Sequence, residues 1–89
     1  MLQRQPRGSV AQAHRTYTRA ASAYEAGEYR RALRLFERLT ESPATTAEAM
    51  PEIVWNLAVT RARLGDIDGA MTEAMTYGQY RRDDQSRLL

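Results

Sequence analysis

A chain of 89 residues is long enough for one small domain and no more. Its 43 % hydrophobic and 27 % charged residues predict a folded core, and the absence of cysteine excludes a disulfide framework. A single histidine argues against a metal site or metal cofactor, and a net charge of only +2 argues against a strongly phosphate-binding surface.

Membrane and export signals are missing from the sequence. It contains no run of about 18 apolar residues, and the first ten residues, MLQRQPRGSV, lack the apolar core of a secretory signal. We therefore expect a cytoplasmic protein.

The first predicted helix follows a polar stretch, residues 1–8, that we interpret as a flexible leader. Ser9 is a suitable helix cap, and Gly27 is suited to the left-handed position that ends the helix near Ala26. Between them, apolar residues recur every three or four positions, as one face of an amphipathic helix requires: Val10, Ala13, Tyr17, Ala20, Ala21 and Tyr24.

A second stripe of the same period predicts a second helix, which ends by Pro43. Its opposite face alternates Arg and Glu at spacings that allow ion pairs. The apolar positions are Tyr29, Ala32, Leu33, Phe36 and Leu39.

The third helix is predicted to begin around Thr45 or Thr46, where Glu48 completes a capping pattern. Pro51 then marks either the true first turn or a kink. The apolar face continues to Gly65 through Ile53, Val54, Leu57, Ala58 and Leu64.

A fourth helix is predicted after an Asp66 cap. Gly78 either ends this helix or lets it continue, and residues 81–89 form a helical tail, as its extension or as a short fifth helix. The expected buried stripe is Ile67, Ala70, Met71, Ala74 and Met75, with the two methionines as core filling.

The chain repeats itself with an offset of 38 residues. The offset brings Gly27 onto Gly65 and Tyr17 onto Trp55, and it also brings Ala20 onto Ala58 and Ala32 onto Ala70. A glycine makes a tight turn between helices, and alanine lets helices approach closely. Repeats built from two helices are typical of solenoid proteins.

These residues resemble the tetratricopeptide repeat (TPR) family, whose repeats carry a glycine turn followed by an aromatic residue and an Ala-x-x-x-Phe pair. The first copy matches at Gly27, Tyr29, Ala32 and Phe36, whereas Ile67 replaces the aromatic residue of the second. The resemblance implies an all-α domain over 9–89, with two antiparallel hairpins stacked as a right-handed solenoid. Repeat one would span about 10–43, repeat two about 46–80, and the tail 81–89.

The resemblance also implies a function, because the first helix of each repeat in this family lines a concave groove that holds a peptide or a partner helix. Position by position, the groove of this chain would include His14, Ala21 and Ala62. The residues expected to contact a partner are Tyr17, Tyr24, Glu52, Trp55, Asn56 and Val59. The sequence thus predicts an adaptor or chaperone-like interaction module, although each aromatic residue is about as suited to completing a small core.

Catalysis is not expected, because the chain offers no nucleophile with a base, no paired carboxylates in a cleft and no phosphate-binding glycine loop. Two other functions stay open. A second copy of the chain could cover the groove, giving a homo-oligomeric scaffold with no separate ligand. A weaker alternative is nucleic-acid binding through four arginines of the second helix, which are more simply its solvated face: Arg30, Arg31, Arg34 and Arg38.

Overall fold

The computed structural model describes residues 9–88, with side chains described as far as Arg82. The expected leader 1–8 and the last residue of the tail lie outside the described residues. Residues 9–88 contain four helices and no strand, which confirms the all-α prediction. The helices are α1 (Val10–Glu25), α2 (Tyr29–Glu41), α3 (Met50–Arg63) and α4 (Ile67–Leu88).

The predicted caps and glycine bends are present. The Ser9 hydroxyl accepts a hydrogen bond from the Gln12 backbone N–H at 3.1 Å, and Asp66 accepts one from the Gly69 N–H at 3.0 Å. Gly27 and Gly65 have φ values of +80° and +84°, the left-handed conformation that glycine adopts without a steric penalty. Each bend joins two helices through a three-residue loop, so α1 packs on α2 and α3 packs on α4.

The third helix begins at Met50, later than predicted. Thr46 does act as a cap, accepting a hydrogen bond from the Ala49 N–H at 3.2 Å, but it caps a separate turn before the helix. Pro51 lies in the first turn of α3, where its missing N–H costs nothing. A helix running through from Thr46 would place the proline ring against the carbonyl of residue 47, which is the physical reason for the later start.

The core lies where α2 packs between α1 and α3. Ala20 and Ala32 are completely buried and hold α1 close to α2, while Phe36 and Leu39 fill the space beside them. The buried cluster consists of Ala20, Ala23, Ala32, Leu35, Phe36, Leu39, Ile53 and Leu57. The predicted stripes of the first three helices supply most of the core. Val10 is exposed, however, and the buried Ala23 and Leu35 were not among the predicted positions.

The prediction for α4 was wrong about its buried face. Ile67, Met71 and Met75 are 56, 61 and 72 % exposed, so the methionines do not fill the core. The helix instead turns Glu73 and Tyr77 towards the rest of the molecule, because Glu73 pairs with Arg61 of α3 and the Tyr77 ring packs on an α3 aromatic side chain.

The helical tail is an extension of α4, which runs through Gly78 without interruption to Leu88. Within residues 9–88, none of the helices combines the length and apolar character needed to cross a membrane.

Candidate functional site

The six residues predicted to contact a partner lie on two helices of the domain. On α3, spacings of three and four residues place Glu52, Asn56 and Val59 along one side of the helix, with Trp55 beside them. Tyr17 and Tyr24 lie two turns apart on α1. We call the surface formed by these six residues the α1–α3 face: Tyr17, Tyr24, Glu52, Trp55, Asn56 and Val59.

Tyr17 joins the two helices at the centre of this face. Its hydroxyl donates a hydrogen bond to Glu52 Oε1 at 2.8 Å and accepts one from Asn56 Nδ2 at 3.1 Å. Its ring packs edge-on against Phe36 of the core, with the ring centroids 6.0 Å apart. Burial and the hydrogen bond to Glu52 raise the pKa of Tyr17 above its ordinary value of 10.0, although the Asn56 amide acts in the opposite direction.

Tyr24 makes a second bridge near the other end of α1. Its hydroxyl accepts a hydrogen bond from Arg63 Nε at 3.2 Å, and this hydrogen bond raises the pKa of the guanidinium. Its ring packs on Tyr29 with centroids 5.2 Å apart.

Arg63 was not among the six predicted residues, but its hydrogen bond to Tyr24 places it beside the α1–α3 face. The repeat offset of 38 residues pairs Tyr24 with Ala62 and gave no signal for Arg63, whereas the hydrogen-bonded pairs Tyr17–Asn56 and Tyr24–Arg63 are both separated by 39 residues. The two bridges are therefore equivalent contacts, made two turns apart between repeated helices.

Trp55 lies at the outer edge of the face, nearer to α4 than to α1. Its ring packs against Tyr77, with centroids 5.1 Å apart and the ring planes tilted by 48°. Even so, Trp55 is 47 % exposed, whereas Tyr17, Tyr24 and Val59 are half-buried. The structure thus brings Tyr17, Glu52 and Asn56 into direct contact and leaves Trp55 as the most accessible aromatic ring of the face.

A shallow groove of about 240 Å³ opens at one end of the face, between the start of α1 and the start of α3. Its lining is mainly apolar, and Glu52 and the exposed His14 contribute to it as well. The apolar lining residues are Val10, Ala13, Leu39, Ala44, Ala49 and Ile53. The groove is therefore an apolar recess beside Tyr17.

Arg61 holds α2, α3 and α4 together, and most of its side chain is covered. Its guanidinium lies 3.2 Å from Asp66, 3.4 Å from Glu73 and 3.8 Å from Glu37. The Nε atom is an ion-pair partner of Glu73 without the alignment of a hydrogen bond. Arg61 is therefore already paired with carboxylates of its own chain.

The four arginines considered for nucleic-acid binding are exposed on α2, and Arg31 lies 3.7 Å from Glu28. This position suits a solvated helix face and a nucleic-acid contact equally, so the alternative stays a prediction. The other residues predicted to line the concave groove of a repeat protein are also at least partly accessible: His14, Ala21 and Ala62.

Comparison with known proteins identifies no relative: no family model matches the chain, and neither curated proteins nor solved structures give a match. The resemblance to tetratricopeptide repeats therefore stays a prediction based on the repeat residues.

Proposed function

We propose that the chain is a non-catalytic interaction module that binds a short peptide or a partner helix on the α1–α3 face. The exposure of Trp55 carries this proposal. A large aromatic side chain that is 47 % exposed, on a face that also carries fixed polar groups, has the properties of an interface hot spot.

The arrangement of the hairpins supports the proposal. We infer that the α1–α2 and α3–α4 hairpins stack as two repeats of a right-handed, TPR-like solenoid, with α1 and α3 on its concave side. The two equivalent bridges from α1 to α3 and the pair of left-handed glycines support this stacking. In such a stack the concave side is an extended binding surface.

The polar groups of the face are fixed before any partner binds. The hydroxyls of Tyr17 and Tyr24 have hydrogen-bond partners within the chain, so a ligand need not order them. Glu52 and Arg63 lie eleven residues apart on α3, about 16 Å along the helix, and carry opposite charges. A partner helix with an apolar anchor between a basic and an acidic residue would complement this face.

Peptide selection tests the proposal without knowledge of the natural partner. A display library of random peptides is selected against the parent protein, and the dissociation constant of the best peptide is measured for parent, Trp55→Ala and Met71→Ala by calorimetry. Met71 is the matched control, because it is an apolar side chain that is still more exposed but lies on α4, away from the face.

We expect Trp55→Ala to weaken peptide binding by more than about 1 kcal/mol, roughly fivefold or more, because it removes an exposed anchor. Met71→Ala should bind like the parent, and circular dichroism should show the same helix content for all three proteins. Equal affinity of Trp55→Ala and parent for the selected peptide would contradict the proposal.

A further inference from the structure

The exposed side of α4 carries an apolar stripe that nothing in the described part of the chain covers. Ile67, Met71, Ala74 and Gly78 follow one another at spacings of four, three and four residues, and Met75 lies four residues after Met71. All five therefore lie on one face of the helix. The three large members are more than half exposed. We call these five residues the α4 stripe.

The charges at the ends of the α4 stripe have opposite sign. Asp68 lies seven residues before Met75 and Arg82 seven residues after it, and both are exposed on the same side of the helix. Two copies of α4 packed antiparallel, with the two-fold axis near Met75, would place Asp68 of each copy opposite Arg82 of the other. Parallel packing would place like charges together, so the charge pattern favours the antiparallel pair.

Side-chain sizes favour a register shifted by one residue from this one, which keeps Asp68 within one residue of the level of Arg82 in the other copy. When the axis lies between Ala74 and Met75, each Met71 faces Gly78 of the other copy, and each Met75 faces Ala74. A large side chain then meets a small one at the levels of Met71 and Met75, as close helix packing favours. The Arg82 side chain is the neighbour at Gly78, 3.7 Å from where a Cβ would lie, so it turns towards Asp68 of the other copy when Met71 packs there.

We propose that the α4 stripe is a self-association surface, on which a second copy of this chain packs antiparallel through the same five residues. The contact is isologous, so it closes as a dimer and does not continue into a fibre. It leaves the α1–α3 face open in both copies, and a dimer would therefore present two binding faces. Because five residues are far fewer than the 20 to 30 per side of a typical stable interface, we expect a weak, concentration-dependent dimer.

Sedimentation equilibrium from micromolar to millimolar protein tests the proposal. The variants are Met71→Glu, the single reversals Asp68→Arg and Arg82→Asp, and the double reversal that carries both. Circular dichroism confirms that each variant keeps its helices, and Trp55→Ala serves as a control outside the α4 stripe.

The parent and Trp55→Ala should dimerise equally, and Met71→Glu should stay monomeric because it places carboxylates in the apolar contact. Each single reversal should raise the dissociation constant about tenfold, since it sets like charges opposite each other twice per dimer. The double reversal should restore the parent value. A parent that stays monomeric at millimolar concentration, or a dimer that survives Met71→Glu and both single reversals, would overturn the proposal.

Discussion

Tyr17 shows how one side chain can serve the core and the binding face together. Its ring belongs to the apolar packing around Phe36, while its hydroxyl reaches the polar groups of Glu52 and Asn56 on α3. An aromatic residue with a polar tip suits such a boundary position. The repeat offset aligned Tyr17 with Trp55, another aromatic residue, and so singled out its position. The two hydrogen bonds, however, depend on side-chain directions that sequence spacing does not define.

We predict that Tyr17→Phe lowers the free energy of unfolding by about 1 kcal/mol at pH 7, because it removes two hydrogen bonds but keeps the ring. Urea unfolding of the parent and the variant measures the difference. Tyr77→Phe is the control, since the contact of its ring with Trp55 does not involve the hydroxyl. An unchanged free energy in Tyr17→Phe would show that the bridge does not stabilise the fold.

The difference in free energy of unfolding between the parent and Tyr17→Phe should depend on pH in alkaline solution. The folded state raises the pKa of Tyr17, so it favours the neutral hydroxyl, and this stabilisation is complete below the ordinary value of 10.0. It is lost as the pH rises through the higher pKa of the folded state. The stability advantage of the parent over Tyr17→Phe should therefore shrink above pH 10, and an advantage that grows there would contradict this account.

At the scale of elements, the glycine bends determine how the chain reverses direction. A Cβ added to Gly27 or Gly65 would meet no atom within 4 Å, so an alanine at either position is limited only by the backbone. We predict that Gly27→Ala and Gly65→Ala each lower stability by about 1 to 2 kcal/mol, the cost of a left-handed conformation for a residue with a Cβ.

Gly78→Ala is the matched control for these two substitutions, because Gly78 lies inside α4 with ordinary helical geometry. There alanine should be neutral or should stabilise the helix by up to about 1 kcal/mol. Thermal unfolding at low protein concentration, where association does not contribute, compares the three variants. Equal effects at Gly27, Gly65 and Gly78 would mean that the bends do not constrain the fold.

The elements also show where sequence prediction stops. Local patterns predicted the existence of all four helices, the Ser9 and Asp66 caps and both bends, because each of these depends on residues within a turn of one another. The face that α4 turns towards the rest of the molecule was not predictable in this way. It depends on contacts between distant residues, such as Arg61 with Glu73 and Trp55 with Tyr77, which compete with the apolar period of Ile67, Met71 and Met75.

At the scale of the whole molecule, the domain is thin and has large surfaces. Its Cα atoms extend 46 × 38 × 17 Å, and the radius of gyration of 14.3 Å exceeds the roughly 12 Å expected of a compact chain of this length. Such a shape keeps the core small and the helix faces accessible. The α1–α3 face and the α4 stripe are consequences of that shape, one proposed for a partner and the other for a second copy.

The resemblance to a repeat family assigned the six residues of the candidate site to positions along two helices, and their binding of a partner stays a prediction. What the sequence could not supply was their division into bridging residues, such as Tyr17 and Asn56, and an exposed one, Trp55. That division follows from how far α1 and α3 approach each other, which depends on the packing of the whole domain.

Mapping a display-selected peptide by amide chemical shifts tests the central claim most directly, because it locates the ligand on the molecule without a mutation. We predict that the largest shift changes occur on the α1–α3 face, around Tyr17, Trp55 and Val59, at a protein concentration that keeps the chain monomeric. Changes confined to the α4 stripe or to the arginine face of α2 would contradict the claim that the α1–α3 face is the binding surface.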